Sequence, residues 1–218
     1  SLRAGPSKWL QIERAGRGTG MKQDALVVRE EFLCYADIVP EVLEICKLSM
    51  DEWTALELYQ KVHLNELYAL ISAWDGAPEN ILEWGTGLST CLFAHFCRTW
   101  HTRTFLTIDH HAEYQARTLA RVEKPEGFEA LSLDLAGGLW PGEDARNYAT
   151  YPLSRQIKYD LIFVDGRRRN ECLLVASNML SAKGMVILHD AWRSRYEVGM
   201  GLFRKIRDLD YYTVMALP

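Results

Sequence analysis

Residues 40–75 carry apolar side chains at helical spacing: Leu56, Leu58, Tyr59, Val62, Leu64, Leu67, Leu70 and Ile71 recur in steps that keep them on one side of a helix. Ser49 followed by Glu52 has the form of a capping box, so a helix is expected to begin there. Gly76-Ala77-Pro78 closes this block with a turn. From Asn80 the rhythm changes. Short apolar runs now end in polar residues or glycine, and most are followed by an amphipathic stretch. The runs are Ile81–Trp84, Thr104–Ile108, Phe128–Leu133, Tyr159–Val164, Gly184–Leu188 and Tyr211–Leu217. Helices are expected over 88–98, 111–123, 170–181 and 196–207.

This alternation predicts an α/β fold: a Rossmann-like, mostly parallel sheet of six or seven strands, helices on both faces, and an N-terminal helical layer. The apolar runs give six strands, with one clear strand after the fifth; the seventh is what the family resemblance named below implies. Right-handed crossovers put the C-terminal ends of parallel strands on one edge, where ligands bind in such sheets. Glu83, Asp109, Asp134, Asp165, His189 and Asp190 close five consecutive strands and should gather there. The expected division is a flexible arm over 1–22, a helical segment over 23–77 and a Rossmann-like domain over 78–218.

Composition narrows the partners. A chain of 218 residues, 48% apolar and 25% charged, suits one sizeable globular domain. A formal charge of −4 lacks the basic footprint of a nucleic-acid binder. No apolar run of about 18 residues suggests a membrane span. Cys34, Cys46, Cys91, Cys97 and Cys172 make an odd count without a C-x-x-C pair. Free thiols in a reducing cytoplasm are expected, rather than zinc ligands or a disulfide framework. Residues 1–22 hold Arg3, Lys8, Arg14, Arg17 and Lys22 against one acid, Glu13; they read as an arm rather than a transit peptide.

The strand ends carry the candidate chemistry. In ILEWGTGLST, Gly85 and Gly87 permit a tight turn and close approach of a ligand, and Ser89 or Thr90 can cap the next helix. The third glycine of a pyrophosphate loop is missing. Glu83 would repel a pyrophosphate but suits a ligand with a cationic amine. Asp109 can accept hydrogen bonds from both hydroxyls of a ribose, a property equally compatible with NAD. Asp134 can accept an adenine amino proton while Leu135 packs on the ring.

Taken in order, ILEWGTGLST, LTIDHH, LSLDLA, YDLIFVDGRRR and GMVILHDAWR resemble class I S-adenosylmethionine-dependent methyltransferases over residues 78–217, in particular the small-molecule O-methyltransferases with VDG and HD motifs. The resemblance implies that Glu83 lies near the methionine moiety and that Gly85, Thr86 and Gly87 wrap the cofactor. It also implies that Ser89, Thr90 and His110 belong to the cofactor site, with Asp109 at the ribose and Asp134, beside Leu135, at the adenine. In metal-dependent members the positions of Asp165 and Asp190 hold a divalent cation such as Mg²⁺. This chain departs from the catechol-type pattern: Ala191 stands where those families have Asn, and His189 precedes the aspartate. Asp165 and His189 are the candidates for removing a proton from the acceptor.

Arg167, Arg168 and Arg169 follow Asp165, and Arg193 and Arg195 follow Asp190. They suit an anionic acceptor such as a carboxylate, phosphate or uronic acid, or else pair with neighbouring acids at the surface. Trp140, Tyr148 and Tyr151 lie in a segment that either covers the site or packs on the sheet. The expected reaction is methyl transfer to an oxygen of a small acceptor by a cytoplasmic enzyme, alone or as a homodimer, without nucleic-acid or membrane partners. An NAD-linked oxidoreductase and a non-catalytic methyltransferase-like binding module are the alternatives.

Overall fold

The computed structural model describes residues 40–74, 76–133, 135 and 148–218. The N-terminal arm, Cys34, Asp134 and Trp140 lie outside the described residues.

Among the described residues the N-terminal layer is three helices, α1 (Pro40–Ile45), α2 (Met50–Ala55) and α3 (Leu58–Ser72). The capping box forms: Ser49 Oγ accepts the Glu52 N–H at 3.2 Å, and the Glu52 carboxylate accepts the Ser49 N–H at 2.8 Å. Val42, Cys46, Trp53, Leu64, Leu67, Leu70 and Ile71 bury their side chains in the same core as Ile81, Phe163 and Ile187. These helices therefore cover one face of the sheet instead of forming a body of their own.

The strands and covering helices alternate as β1 (Asn80–Trp84), α4 (Leu88–Trp100), β2 (Thr104–Asp109), α5 (Ala112–Leu119), β3 (Phe128–Ser132), β4 (Tyr159–Val164), α6 (Arg169–Met179) and β5 (Leu180–His189). A single turn of helix, α7 (Glu197–Met200), leads to β6 (Arg204–Asp208) and β7 (Tyr212–Ala216). The sheet has seven strands in the order β3-β2-β1-β4-β5-β7-β6. The first five are parallel; β7 runs antiparallel to β5, and β6 antiparallel to β7. Order reverses beside β1, so the crevice lies above the ends of β1 and β4. On the second face Leu82, Trp84, Ile162, Val164 and Leu188 pack against Cys172, Leu173 and Ala176 of α6.

One expected element is different. The helix expected over 196–207 lasts only from Glu197 to Met200, and the chain then becomes β6. Gly199 and Gly201 weaken a helix here. Gly199 also lies so close to α6 that a Cβ would meet Leu173 Cδ1 at 2.7 Å. As an edge strand, β6 exposes Arg204, Lys205 and Asp208, so it lacks the apolar alternation that marks a strand in sequence.

Four cysteines, Cys46, Cys91, Cys97 and Cys172, are buried free thiols. Among the described residues no helix is long and apolar enough to cross a membrane.

Candidate active site

Glu83 is fully buried at the end of β1. Its two oxygens accept the Ser89 and Thr90 hydroxyls, each at 2.6 Å. Ser89 and Thr90 thus reach back to the strand, and Gly87 takes the N-cap position of α4, its N–H donated to Thr90 Oγ1 at 3.0 Å. Thr86 Oγ1 shares a hydrogen bond with Thr107 Oγ1 at 2.9 Å and accepts Gln115 Nε2 at 3.0 Å. The Glu83, Thr86, Ser89 and Thr90 side chains therefore hold the turn's shape from beneath.

Burial pushes the Glu83 carboxyl up to about 8, against the hydrogen bonds from Ser89, Thr90 and Thr107 that favour the anion. The folded chain then keeps this proton over a range where an unfolded chain, at the ordinary value of 4.5, has lost it. More protons are bound to the folded state between those values, so stability falls as pH rises from 4.5 towards 8. Glu83→Gln should remove this contribution. Urea denaturation of both chains from pH 5 to 8 should show the variant gaining on the wild type, by about 1.4 kcal/mol per pH unit at the steepest. A difference that stays flat with pH would show that Glu83 ionises as an ordinary carboxylate.

Asp109 ends β2 and is nearly buried. One oxygen accepts the Thr86 N–H at 2.9 Å and the other the His111 N–H at 2.7 Å. This carboxylate pins the glycine turn to the start of α5. Each oxygen keeps further acceptor capacity for a ligand's hydroxyls. His110 lies beside it, Nδ1 at 3.3 Å. Leu135 is half-buried against the second core.

At the ends of β4 and β5 the structure joins Asp165, His189 and Asp190. A straight strand would send His189 and Asp190 to opposite faces. The chain instead turns at Asp190, which has φ of +56°. His189 Nδ1 lies 2.6 Å from Asp165 Oδ1, and its Nε2 lies 2.8 Å from His63 Nδ1. Burial first, then the neighbouring His189, lower the His63 value to about 4, so His63 is neutral at neutral pH. Both ring nitrogens of His189 are thus engaged, Nδ1 by Asp165 and Nε2 by His63. His63 Nε2 is buried and without a hydrogen-bond partner among the described residues.

His63 comes from α3, and nothing around it in the run Val62-His63-Leu64 distinguishes it from a helix-face histidine. Tyr211 packs on its other side, with ring centroids 3.9 Å apart.

Two close carboxylates need a counter-charge. Arg169 supplies it. Its Nη2 donates to Asp165 Oδ1 at 2.8 Å, and its Nη1 lies 3.8 Å from Asp190 Oδ2. The same guanidinium donates to the carbonyls of Asp165, Gly166 and His189. Arg193 adds a second contact to Asp190 at 2.7 Å. A divalent cation between Asp165 and Asp190 would stand against a permanently charged guanidinium already bonded to both strand ends. The donors therefore do not fit the Mg²⁺ site that the resemblance implies. Among the described residues no group of three His, Cys, Asp or Glu is arranged to hold a metal ion.

Tyr148 packs on the sheet: it is fully buried, its carbonyl accepts Trp84 Nε1–H at 3.0 Å, and its hydroxyl accepts the Arg167 N–H at 3.2 Å. Tyr151 is half-buried against the same core.

The sequence profile of the family described as "Methyltransferase domain" matches residues 82–191, half of the chain. Among solved structures, a methyltransferase-like protein from Silicibacter pomeroyi is 24% identical with a TM-score of 0.51, over 70% of this chain and 84% of that one. The N-methyltransferase NodS from Bradyrhizobium japonicum, in complex with S-adenosyl-L-homocysteine, is 14% identical with a TM-score of 0.52, over 82% and 97%. CalS11, a TDP-rhamnose 3′-O-methyltransferase of calicheamicin biosynthesis, is 12% identical with a TM-score of 0.52, over 81% and 91%. No curated protein matches the sequence. Because the matched half runs from β1 to the end of β5, the part of the sheet that builds the crevice, the chain belongs to the methyltransferase-domain family in its class I form.

Proposed function

We propose that the chain transfers a methyl group from S-adenosylmethionine to an oxygen of a small acceptor. The observation that carries this reading is the contact between the glycine turn and the end of β4: a Cβ on Gly85 would lie 2.6 Å from the Gly166 nitrogen and 2.9 Å from the Asp165 carbonyl carbon. The backbone that would wrap the cofactor thus touches the residue best placed to take the acceptor's proton. The bound cofactor supplies its methyl as a sulfonium and leaves as a thioether.

The chain's own residues align, shield and deprotonate. Asp109 holds the cofactor through its spare acceptor capacity, and the extended backbone at Gly87 leaves room beside it. Asp165 receives the proton from the acceptor hydroxyl as the oxygen attacks. It is favoured over His189 because both nitrogens of His189 are engaged, whereas the Asp165 side chain is one-third exposed. His189 and Arg169 hold the carboxylate in place.

Asp109→Asn tests the cofactor site. It should weaken S-adenosylmethionine binding about 10- to 100-fold, because hydrogen bonds to a charged group are worth about 1.5–3 kcal/mol. Calorimetry measures this, with thermal denaturation to verify that the variant is folded. Unchanged affinity, or wild-type binding of NAD in place of S-adenosylmethionine, would refute the reading.

A further inference from the structure

Five arginines cluster around the N-terminus of α6, and they divide by what they touch. Arg169 is committed to the strand ends. It also lines an open cavity of about 280 Å³, together with Arg167, Arg168, Arg193, Arg195, Asn170 and Glu171. Two chain segments, one after β4 and one after β5, supply these side chains. Asn170 clamps the segments together: its Nδ2 donates to the Arg195 carbonyl at 2.7 Å, and its Oδ1 accepts the Gly199 N–H at 3.2 Å. The cavity is therefore built before any ligand arrives.

Its charge is only partly cancelled. Among the described residues Glu171 is the one carboxylate in the lining, 3.5 Å from Arg168. Arg193 is neutralised by Asp190. Among the described residues neither Arg167 nor Arg195 meets a carboxylate; Arg195 instead reaches the Tyr196 hydroxyl at 2.8 Å and lies over its ring. The whole chain carries −4, so this concentration of positive charge runs against the protein's own balance. Guanidinium groups converging on a concave site suit planar, multidentate recognition of oxyanions.

We propose that this cavity binds a multiply charged oxyanion, phosphoryl or carboxylate, carried by the methyl acceptor. The assignment to the acceptor rests on the methyl-transfer reading. Gly166 lines the cavity and directly follows Asp165. An anion held there anchors the acceptor one residue from the group that takes its proton.

Calorimetry on the full chain at low salt, with inorganic pyrophosphate and succinate as probes, tests this. The wild type should bind at least one of them. The double variant Arg167→Gln, Arg195→Gln should bind that probe at least about tenfold more weakly, two charge-assisted contacts being lost. Its S-adenosylmethionine affinity should stay within about twofold of wild type, since neither arginine touches the glycine turn or Asp109. Binding of pyrophosphate alone identifies a phosphoryl-bearing acceptor, and binding of succinate alone a carboxylate. The proposal is overturned if neither probe binds at millimolar concentration, or if the double variant binds as tightly as the wild type. A wild type that binds the anion but not S-adenosylmethionine would overturn the methyl-transfer reading and leave the anion site standing, so the two failures are distinguishable.

Discussion

Asp165→Asn should lower the rate of methyl transfer about 10²- to 10⁴-fold, the range a positioned general base contributes, while S-adenosylmethionine still binds. The side chain keeps its shape but loses the charge that accepts a proton. It also changes what its neighbours meet. The Asp165 carboxylate accepts from both His189 Nδ1 and Arg169 Nη2 at one oxygen, Oδ1. An amide placed with its nitrogen there would face two donors, so the asparagine must turn its oxygen inward and present an NH₂ to the acceptor. That orientation preserves the cluster and removes the base. Single-turnover rates with bound cofactor, alongside calorimetric cofactor affinity, separate the roles. A selective loss of rate supports Asp165 as the proton acceptor. An equal loss of affinity would place it in cofactor binding, and an unchanged rate would remove it from the chemistry.

Much of this site could be read from the sequence because strand ends are periodic features. Asp109, Asp165 and His189 each close an apolar run, and parallel strands put such closing residues on one edge whatever the loops do. The partners of those residues follow no such period. His63 reaches His189 across 126 residues, from a helix whose pattern reports only which face is buried. The structural role of Arg169 left one trace, its i,i+4 spacing from Asp165, but the same spacing is common on exposed helices. Glu83 shows the opposite problem. Its position just before the glycine turn suggests a ligand contact, but nothing in the sequence shows that the hydroxyls of Ser89 and Thr90, six and seven residues later, engage both of its oxygens. A motif specifies which residues are near the turn, and packing decides which way they face.

Gly85→Ala should cost about 4 kcal/mol of folding free energy, combining backbone strain with a clash that cannot be relieved by a rotamer change. Gly85 has φ of +102°, a region that side-chain-bearing residues rarely enter. The new Cβ would lie 2.6 Å from the Gly166 nitrogen and 2.9 Å from both the Gly166 Cα and the Asp165 carbonyl carbon, all of them backbone. Gly166 cannot retreat freely, because Tyr148 Oη already occupies the space where its own Cβ would sit, 2.0 Å away. The neighbouring ladder resists as well: the Asp165 N–H is donated to the Trp84 carbonyl at 2.9 Å, and the Gly85 N–H to the Ile108 carbonyl at 2.8 Å. Gly87→Ala is the control. Its φ of −161° is ordinary extended backbone, and its Cβ would meet only Ser89 Oγ at 3.7 Å and Tyr114 Oη at 3.8 Å. That change should cost under about 1 kcal/mol, as expected for a half-buried position without strain or clash. Urea denaturation of the two variants should therefore separate them by about 3 kcal/mol, with a Tm gap on the order of 10 °C for a chain of this size. Equal costs would mean that β1 and β4 part easily at their ends. The contact that joins the cofactor turn to Asp165 would then lose its structural basis.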